Sequence, residues 1–389
     1  MSDPLAFIDD ELRDLEGRGL RRRLRAVQGP QGPRVTVEGR ALRLFCSNDY
    51  LGLANHPALI AAAKEAVERY GYGTGASRLV SGTMEAHVAL EGRLAGFLGT
   101  GAALVFPSGY AANVGVIPAL VGQGDAVILD RLNHASIVDG ARLSGAKLLV
   151  YPHRDVERLR EVLGRHTAFR RRLIVTDGVF SVDGDIAPLR EIQALARQHN
   201  AILMVDDAHG TGALGERGLG TLEHHGLEGV DVLMGSLSKA LGASGGFIAG
   251  GRGLIDYLIN RSRGFIFTTA LPPDACAAAA AALDLVASQP ELRARLWKNV
   301  GQAKRGLLAM GFDLMGSETQ IIPVRIGDAK RAVEVSDFLH ERGIFLSAIR
   351  PPTVPEGESR LRLTVTAAHD EEDIVCLLGA MKDVQRHFY

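Results

Sequence analysis

The sequence predicts an α/β fold: a three-layer α/β/α sandwich followed by a smaller C-terminal α+β domain. Three observations predict it. Short, wholly apolar runs recur through the middle of the chain, with helical patterns between them. The runs lack polar alternation, as expected of parallel strands buried on both faces. The 46 glycines point to many tight strand-to-helix turns, where backbones approach a ligand closely.

The elements follow in order. A charge-rich amphipathic helix is predicted from Met1 to about Val27, stopped by Gly29-Pro30-Gln31-Gly32-Pro33. Short strands at Val35–Val37 and Leu42–Phe45 precede a helix over Pro57–Tyr70, with Asn55 near its start and Gly71 past its end. The apolar strands are Ala103–Phe106, Ala126–Asp130, Lys147–Tyr151, Leu173–Thr176, Ala201–Val205, Val230–Met234 and Gly246–Ala249. The clearest intervening helix is Pro188–His199, which places Leu189, Ile192, Leu195 and Ala196 on one stripe. Pro272 to Met310 reads as two helices broken near Pro290. Strand Ile321–Ile326, helix Ala329–Arg342, strands Ile344–Ile349 and Arg360–Thr366, and helix Glu371–Arg386 complete the chain. The expected division is an N-terminal helix with short strands over 1–50, a large ligand-binding domain over 51–285 and a small domain over 286–389.

Composition excludes several classes of function. Lys+Arg 44 against Asp+Glu 45 leaves a net charge of −1, so no long-range field recruits nucleic acid or an anionic membrane. The longest apolar stretch, Ala275–Ala287, contains Asp284 and is too short to span a bilayer. The acidic first ten residues lack a signal peptide's basic start and apolar centre. Cys46, Cys276 and Cys376 form no Cys-x-x-Cys pair, which argues for a reducing cytoplasm and against a disulfide framework or zinc knuckle.

Several segments carry candidate chemistry. A buried strand ends in Asp206-Asp207-Ala208-His209, where an acid beside a ligand crevice can pair with a cationic ring nitrogen or simply cap the next turn. Ser236-Leu-Ser-Lys239 follows another strand; a lysine there can form a Schiff base with an aldehyde, although alone it would read as a solvated surface residue. Ser108-Gly109 opens a helix, either as a phosphate seat or as an ordinary N-cap. His134 follows the strand ending at Asp130, where it could stack on an aromatic ring or serve only structure. Gly210-Thr-Gly212-Ala-Leu-Gly215 matches a dinucleotide-binding glycine pattern, the basis of a remote NAD-dependent dehydrogenase reading. However, more glycines follow and no amphipathic helix opens within it. The adjacent His224-His225 pair diverges on a helix, so no metal is expected.

Taken together, Ser108-Gly109-Tyr110, His134, Asp177-Gly-Val-Phe-Ser181, Asp206-x-Ala-His209 and Ser236-x-x-Lys239 resemble the pyridoxal-phosphate-dependent α-oxoamine synthases. That family has fold type I, the aspartate-aminotransferase-like transferase fold, and the likeness runs from about Arg21 to the last helix. Three segments, Ser47–Leu53, Ile349–Pro355 and Arg360–His369, look most like the branch that joins L-alanine to a pimeloyl thioester on the way to biotin. Sister branches use glycine or serine with acetyl, succinyl or long acyl thioesters, glycine C-acetyltransferase among them.

The resemblance implies a role for each residue. Lys239 would hold pyridoxal 5'-phosphate covalently, Asp206 would keep its pyridine nitrogen protonated, and His209 and Ser181 would bond its phenolic oxygen. His134 would stack on the ring. Ser108, Gly109, Tyr110 and Ser236 would surround the phosphate, Ser236 standing where many relatives have threonine. Thr268 and Thr269 match a segment offered across a homodimer interface to the neighbour's phosphate. Arg21, Asn48, Thr353 and Arg362 match substrate-side positions, and the Arg362 guanidinium can fork onto a carboxylate. Most of the Arg21-Arg22-Arg23 and Arg25 run reads as a solvated face.

Overall fold

A computed structural model describes residues 3–389. Contacts divide the chain into two compact units. One comprises Asn48–Ser181 and Asp185–Ala294; the other joins the N-terminal segment up to Ser47, Val182–Gly184 and Arg295–Tyr389.

The N-terminal helix is shorter than its charge pattern predicts, covering Phe7–Gly17 only. Gly19 turns into the left-handed region at φ +67°, and the Arg18 and Gly19 N–H groups fold back onto Asp14 and Glu16 carbonyls. The following arginines leave the helix and pair with acids: Arg21 reaches back to Glu16 of the helix's last turn at 3.3 Å, and Arg25 meets Asp337 at 2.8 Å. Strand β1 (Val27–Gln28) replaces the predicted last helical turn. It pairs antiparallel with β2 (Arg34–Val37), which pairs with β3 (Arg40–Leu44). The helix Pro57–Tyr70 forms as expected, capped by His56, whose Nδ1 accepts the Ala58 N–H.

The larger unit is built on seven strands: β4 (Ala102–Phe106), β5 (Ala126–Asp130), β6 (Lys147–Tyr151), β7 (Arg172–Asp177), β8 (Ile202–Asp206), β9 (Val232–Ser236) and β10 (Gly246–Gly250). Their order in the sheet is β4-β10-β9-β8-β7-β5-β6. The pairs from β9 to β6 are parallel, but β10 runs antiparallel to both β9 and β4. A sheet with helices on both faces buries an antiparallel member as fully as a parallel one, so the apolar run at Gly246 carries no mark of direction. The connection from Ser236 to Gly246 does: it is too short for the crossover of a dozen or more residues that a parallel return needs. Leu104, Phe106, Val127, Leu129, Val175, Met204 and Met234 pack with Val116 and Ile117 of the helix Gly109–Leu120 and with Ile137. Each fully buried side chain of this size contributes roughly 1.5–3 kcal/mol.

In the smaller unit, β11 (Ile321–Gly327), β12 (Ile344–Phe345), β13 (Ser347–Ile349) and β14 (Ser359–Thr364) are interspersed with the helices Ala329–Glu341 and Glu371–Phe388. The single strand predicted over Ile344–Ile349 is split at buried Leu346, because two sheets claim its halves. β12 joins β3 in parallel and β13 joins β14 antiparallel. The helices Pro273–Ser288 and Pro290–Ala309 break where Pro290 predicts. Among the described residues no helix is long and apolar enough to cross a membrane.

One buried ion pair anchors the Arg78–Gly82 turn. The Arg78 guanidinium forks onto Glu91 at 2.8 and 3.0 Å, and Glu91 also accepts the Val105 N–H of β4 at 3.0 Å. Arg78→Ala, which strands the Glu91 carboxylate, should lower stability by about 3–5 kcal/mol in urea denaturation. The double change Arg78→Met with Glu91→Leu should recover most of that loss.

Candidate active site

Three neighbouring strands of the large sheet, β5, β7 and β8, end in carboxylates: Asp130, Asp177 and Asp206. The chain path reverses direction around β5, with β6 on one side and β7 on the other, and the crevice at such a switch point is where open α/β sheets bind ligands. Asp206 and Asp177 are direct partners in the β7–β8 register, and both are buried. Two neutral donors hold Asp206: Asn113 Nδ2 at 2.7 Å and the Ala208 N–H at 3.0 Å. Burial, and after it the Asp206 charge, raises the Asp177 carboxyl well above its usual range.

The turn after β5 delivers His134, which caps the helix Ala135–Ser144 through its Nδ1. The His134 N–H donates to Asp177 at 2.9 Å, and its Nδ1 lies 2.7 Å from Ser136 Oγ. Asn113 Nδ2 also donates to Ser136 Oγ at 2.9 Å, so one amide joins the Asp206 and His134 sides of the crevice. Burial holds the His134 ring below its ordinary value; Asp206 raises it and the Lys239 charge lowers it. His209, just past β8, bonds the Tyr50 hydroxyl through Nδ1 at 2.6 Å, and that hydroxyl donates to Asn48 Oδ1 at 3.2 Å.

Lys239 sits half-buried in the tight connection from β9 to β10, its carbonyl accepting the Gly242 N–H at 2.9 Å. Ser236 Oγ lies 2.9 Å from Ser238 Oγ at the end of β9. Ser108 caps the helix Gly109–Leu120 by accepting the Ala111 N–H at 3.0 Å, and the exposed Tyr110 hydroxyl donates to Asp139 at 2.5 Å. The backbone is bare at this helix start for a steric reason. A Cβ on Gly109 would meet Met234 Cε at 2.7 Å, and one on Gly246 would meet the Gly109 Cα at 2.6 Å. Ser181 lies in a turn closed by the Val179–Ile186 bridge and the Phe180 N–H to Asp185 carbonyl bond.

Other expected residues lie elsewhere. Thr269 bridges to Ser77, beside the Thr74 hydroxyl that donates to the Ala270 carbonyl, and no bond of Ser108 or Ser236 reaches Thr268 or Thr269. In the smaller unit, Arg21 pairs with Glu16, the exposed Thr353 donates its N–H to Arg350, and Arg362 on β14 lies across from Ser347. The Gly210–Gly215 run opens no helix. Its turns wrap two carboxylates: Asp207 accepts both the N–H and hydroxyl of Thr221, and Glu223 accepts the Arg217 and Leu219 N–H groups.

These residues fit pyridoxal phosphate. Asp206 is buried at the crevice and takes hydrogen bonds from neutral donors, Asn113 and Ala208, which do not compete there with a cationic ring nitrogen. The Gly109–Gly246 contact leaves helix-start N–H groups open to a phosphate. The residue that sequence reasoning passed over is Asn113. Its one signal is an amide on an otherwise apolar helix, GYAANVGVIPAL.

A family profile described as aminotransferase class I and II matches residues 42–381. The chain is 56% identical over 375 residues to the 8-amino-7-oxononanoate synthase of Geobacter metallireducens, with 96% of each chain covered. It is 57% identical over 378 residues to that of Geobacter sulfurreducens, again covering 96% of each. Among solved structures, a serine palmitoyltransferase from S. paucimobilis with a bound PLP–myriocin aldimine superimposes with a TM-score of 0.94 at 35% identity, covering 99% of each chain. The 8-amino-7-oxononanoate synthase of Francisella tularensis gives a TM-score of 0.77 at 28% identity, over 90% of this chain and 99% of that one.

Asn113→Ala removes the donor shared by Asp206 and Ser136. It should lower stability by about 2 kcal/mol in urea denaturation of the cofactor-free protein, with the far-ultraviolet circular dichroism unchanged.

Proposed function

The chain belongs to the class I and II aminotransferase family, and we propose that within it the protein acts as an 8-amino-7-oxononanoate synthase in biotin synthesis. It condenses L-alanine with a pimeloyl thioester, releasing CO2 and the free thiol. The observation that carries this reading is identity above half, over nearly the whole length, to synthases of that name. The likeness to serine palmitoyltransferase is close in backbone, but its 35% identity lies well below the 56% and 57% shared with the Geobacter synthases, and a shared fold does not select a substrate.

Pyridoxal phosphate, when bound, supplies an electron sink for negative charge at the amino acid's α-carbon. The protein's residues do the rest. Lys239 Nζ would hold the group, and the same amine would serve as the base for the alanine α-proton. Asp206 would hold the proton on the ring nitrogen, His209 and Ser181 would bond the phenolic oxygen, and His134 would stack on the ring. Ser108, Gly109, Tyr110 and Ser236 seat the phosphate. Arg362 binds the alanine carboxylate, and Arg21, Asn48 and Thr353 serve the substrate side. The new bond joins the alanine α-carbon to the thioester carbonyl, the thiolate departs with its electron pair, and the carboxylate of the resulting β-keto acid leaves as CO2.

The working form in this reading is a cytoplasmic homodimer, each chain offering Thr268 and Thr269 to the partner's phosphate. Its support is the exposed apolar set Tyr72, Leu79, Val80 and Phe267 on the segments around the Ser77–Thr269 bridge. Mixing Lys239→Ala chains with Thr268→Ala/Thr269→Ala chains should restore measurable turnover, and an active monomer in sedimentation would exclude the shared site.

Asp206→Asn should retain the yellow cofactor yet lose roughly a hundredfold in turnover, equivalent to about 3 kcal/mol of charge stabilisation. Borohydride reduction should fix the chromophore to the Lys239 peptide. The deciding assay crosses alanine, glycine and serine with acetyl-, succinyl-, pimeloyl- and palmitoyl-CoA, reading thiol release and product mass. Alanine with pimeloyl-CoA should dominate; a clear preference for glycine with acetyl-CoA, or for serine with palmitoyl-CoA, would transfer the protein to a sister activity.

A further inference from the structure

A second charged cluster lies behind the crevice, outside the residues assigned above. His153 follows β6 and points one ring nitrogen at each of two buried carboxylates. Nδ1 lies 3.0 Å from Asp130 Oδ1 and Nε2 lies 2.6 Å from Asp185 Oδ2. Each nitrogen faces an acceptor, so the ring carries a proton on both and is an imidazolium. Its edge meets the face of Phe180 at 4.4 Å between centroids and 89° between planes.

The two carboxylates belong to two different site-bearing loops. Asp130 accepts the Leu132 N–H at 2.8 Å and the Arg154 N–H at 2.8 Å, and so fixes the turn that ends in His134. Asp185 closes the turn that holds Ser181, its carbonyl accepting the Phe180 N–H at 3.0 Å. Among the described residues Asp185 Oδ1 is buried without a hydrogen-bond partner, while Oδ2 takes His153 at 2.6 Å and the Arg154 guanidinium at 3.2 Å. The protonated His153 thus stands between two carboxylates, Asp130 and Asp185.

We propose that His153 is a positioning residue for the condensation, a cross-link that holds the His134 turn and the Ser181 turn in one geometry. The inference rests on the roles proposed for His134 and Ser181. Burial alone would pull the ring down, but its hydrogen bonds and attraction to Asp130 and Asp185 lift it to about 9. A raised value means that the cross-link is complete below the ordinary histidine range and is lost as pH rises through 9.

The test uses the holoenzyme and three readouts. In His153→Phe, which keeps a ring against Phe180, kcat should fall about tenfold while KM for the amino acid changes less than about twofold. The visible cofactor band should remain. Hydrogen–deuterium exchange should accelerate together in peptides spanning Leu132–Ser136 and Val179–Ile186. Asp185→Asn, which leaves the Asp130 anchor, should loosen mainly Val179–Ile186. Unchanged exchange at Leu132–Ser136 in His153→Phe, or unchanged kcat, overturns the proposal. Should that variant not fold, nitrogen NMR of the wild type decides. Both His153 nitrogens should stay protonated to about pH 9, and a ring that deprotonates near 6.5 overturns the cross-link. Failure of the wild type to use alanine would count against the substrate reading alone, because exchange and NMR need no substrate.

Discussion

Asp130, Asp177 and Asp206 close the ends of three adjacent strands, and their polar carboxyl groups must find partners in a dry place. Burying a carboxylate costs several kcal/mol unless donors or cations meet it. Each is met differently. Asp206 takes an amide and a backbone N–H, Asp177 takes the backbone of His134, and Asp130 takes two backbone N–H groups and an imidazolium. The groups that satisfy the acids are thereby fixed, and they include the loop that carries His134. Electrostatic necessity and site geometry are one arrangement in this sheet.

Much of the architecture was legible because burial leaves a direct trace in composition. Continuous apolar runs located all seven central strands, and the Leu189–Ile192–Leu195–Ala196 stripe located its helix. Direction was less legible, since Gly246–Gly250 is buried on both faces whichever way it runs. Local charge pattern overran the first helix because Gly17 and Gly19 compete with it, and the arginines beyond it fold back to Glu16 or reach Asp337. Leu346 shows the opposite failure, a pattern that reads as one strand until two partner sheets divide it.

The candidate site follows the same division. Asp206, His209, Ser236 and Lys239 stand out because few chemistries require an acid, an imidazole and a lysine at successive strand ends. Asn113 and His153 escape notice because their meaning lies in partners far along the chain, Asp206 for one and Asp130 with Asp185 for the other. Neither the amide nor the imidazole announces alone which carboxylate it will meet.

The antiparallel strand β10 also has a bearing on how the chain is made. Strand β4 is an edge strand whose sole neighbour in the sheet is β10, and the Ser108–Gly109 helix start leans on Gly246 of that same strand. A nascent chain therefore emits this helix long before the surface it rests on, which arrives about 140 residues later. At ribosomal rates of roughly 5–20 residues per second, that interval is on the order of 10–30 s. During it, Phe106 and the apolar face of the helix Gly109–Leu120 have no sheet partner from β10. Synthesis from the N-terminus thus completes the surroundings of the Ser108–Gly109 helix start late, and until then the segment is apolar surface without its sheet partner.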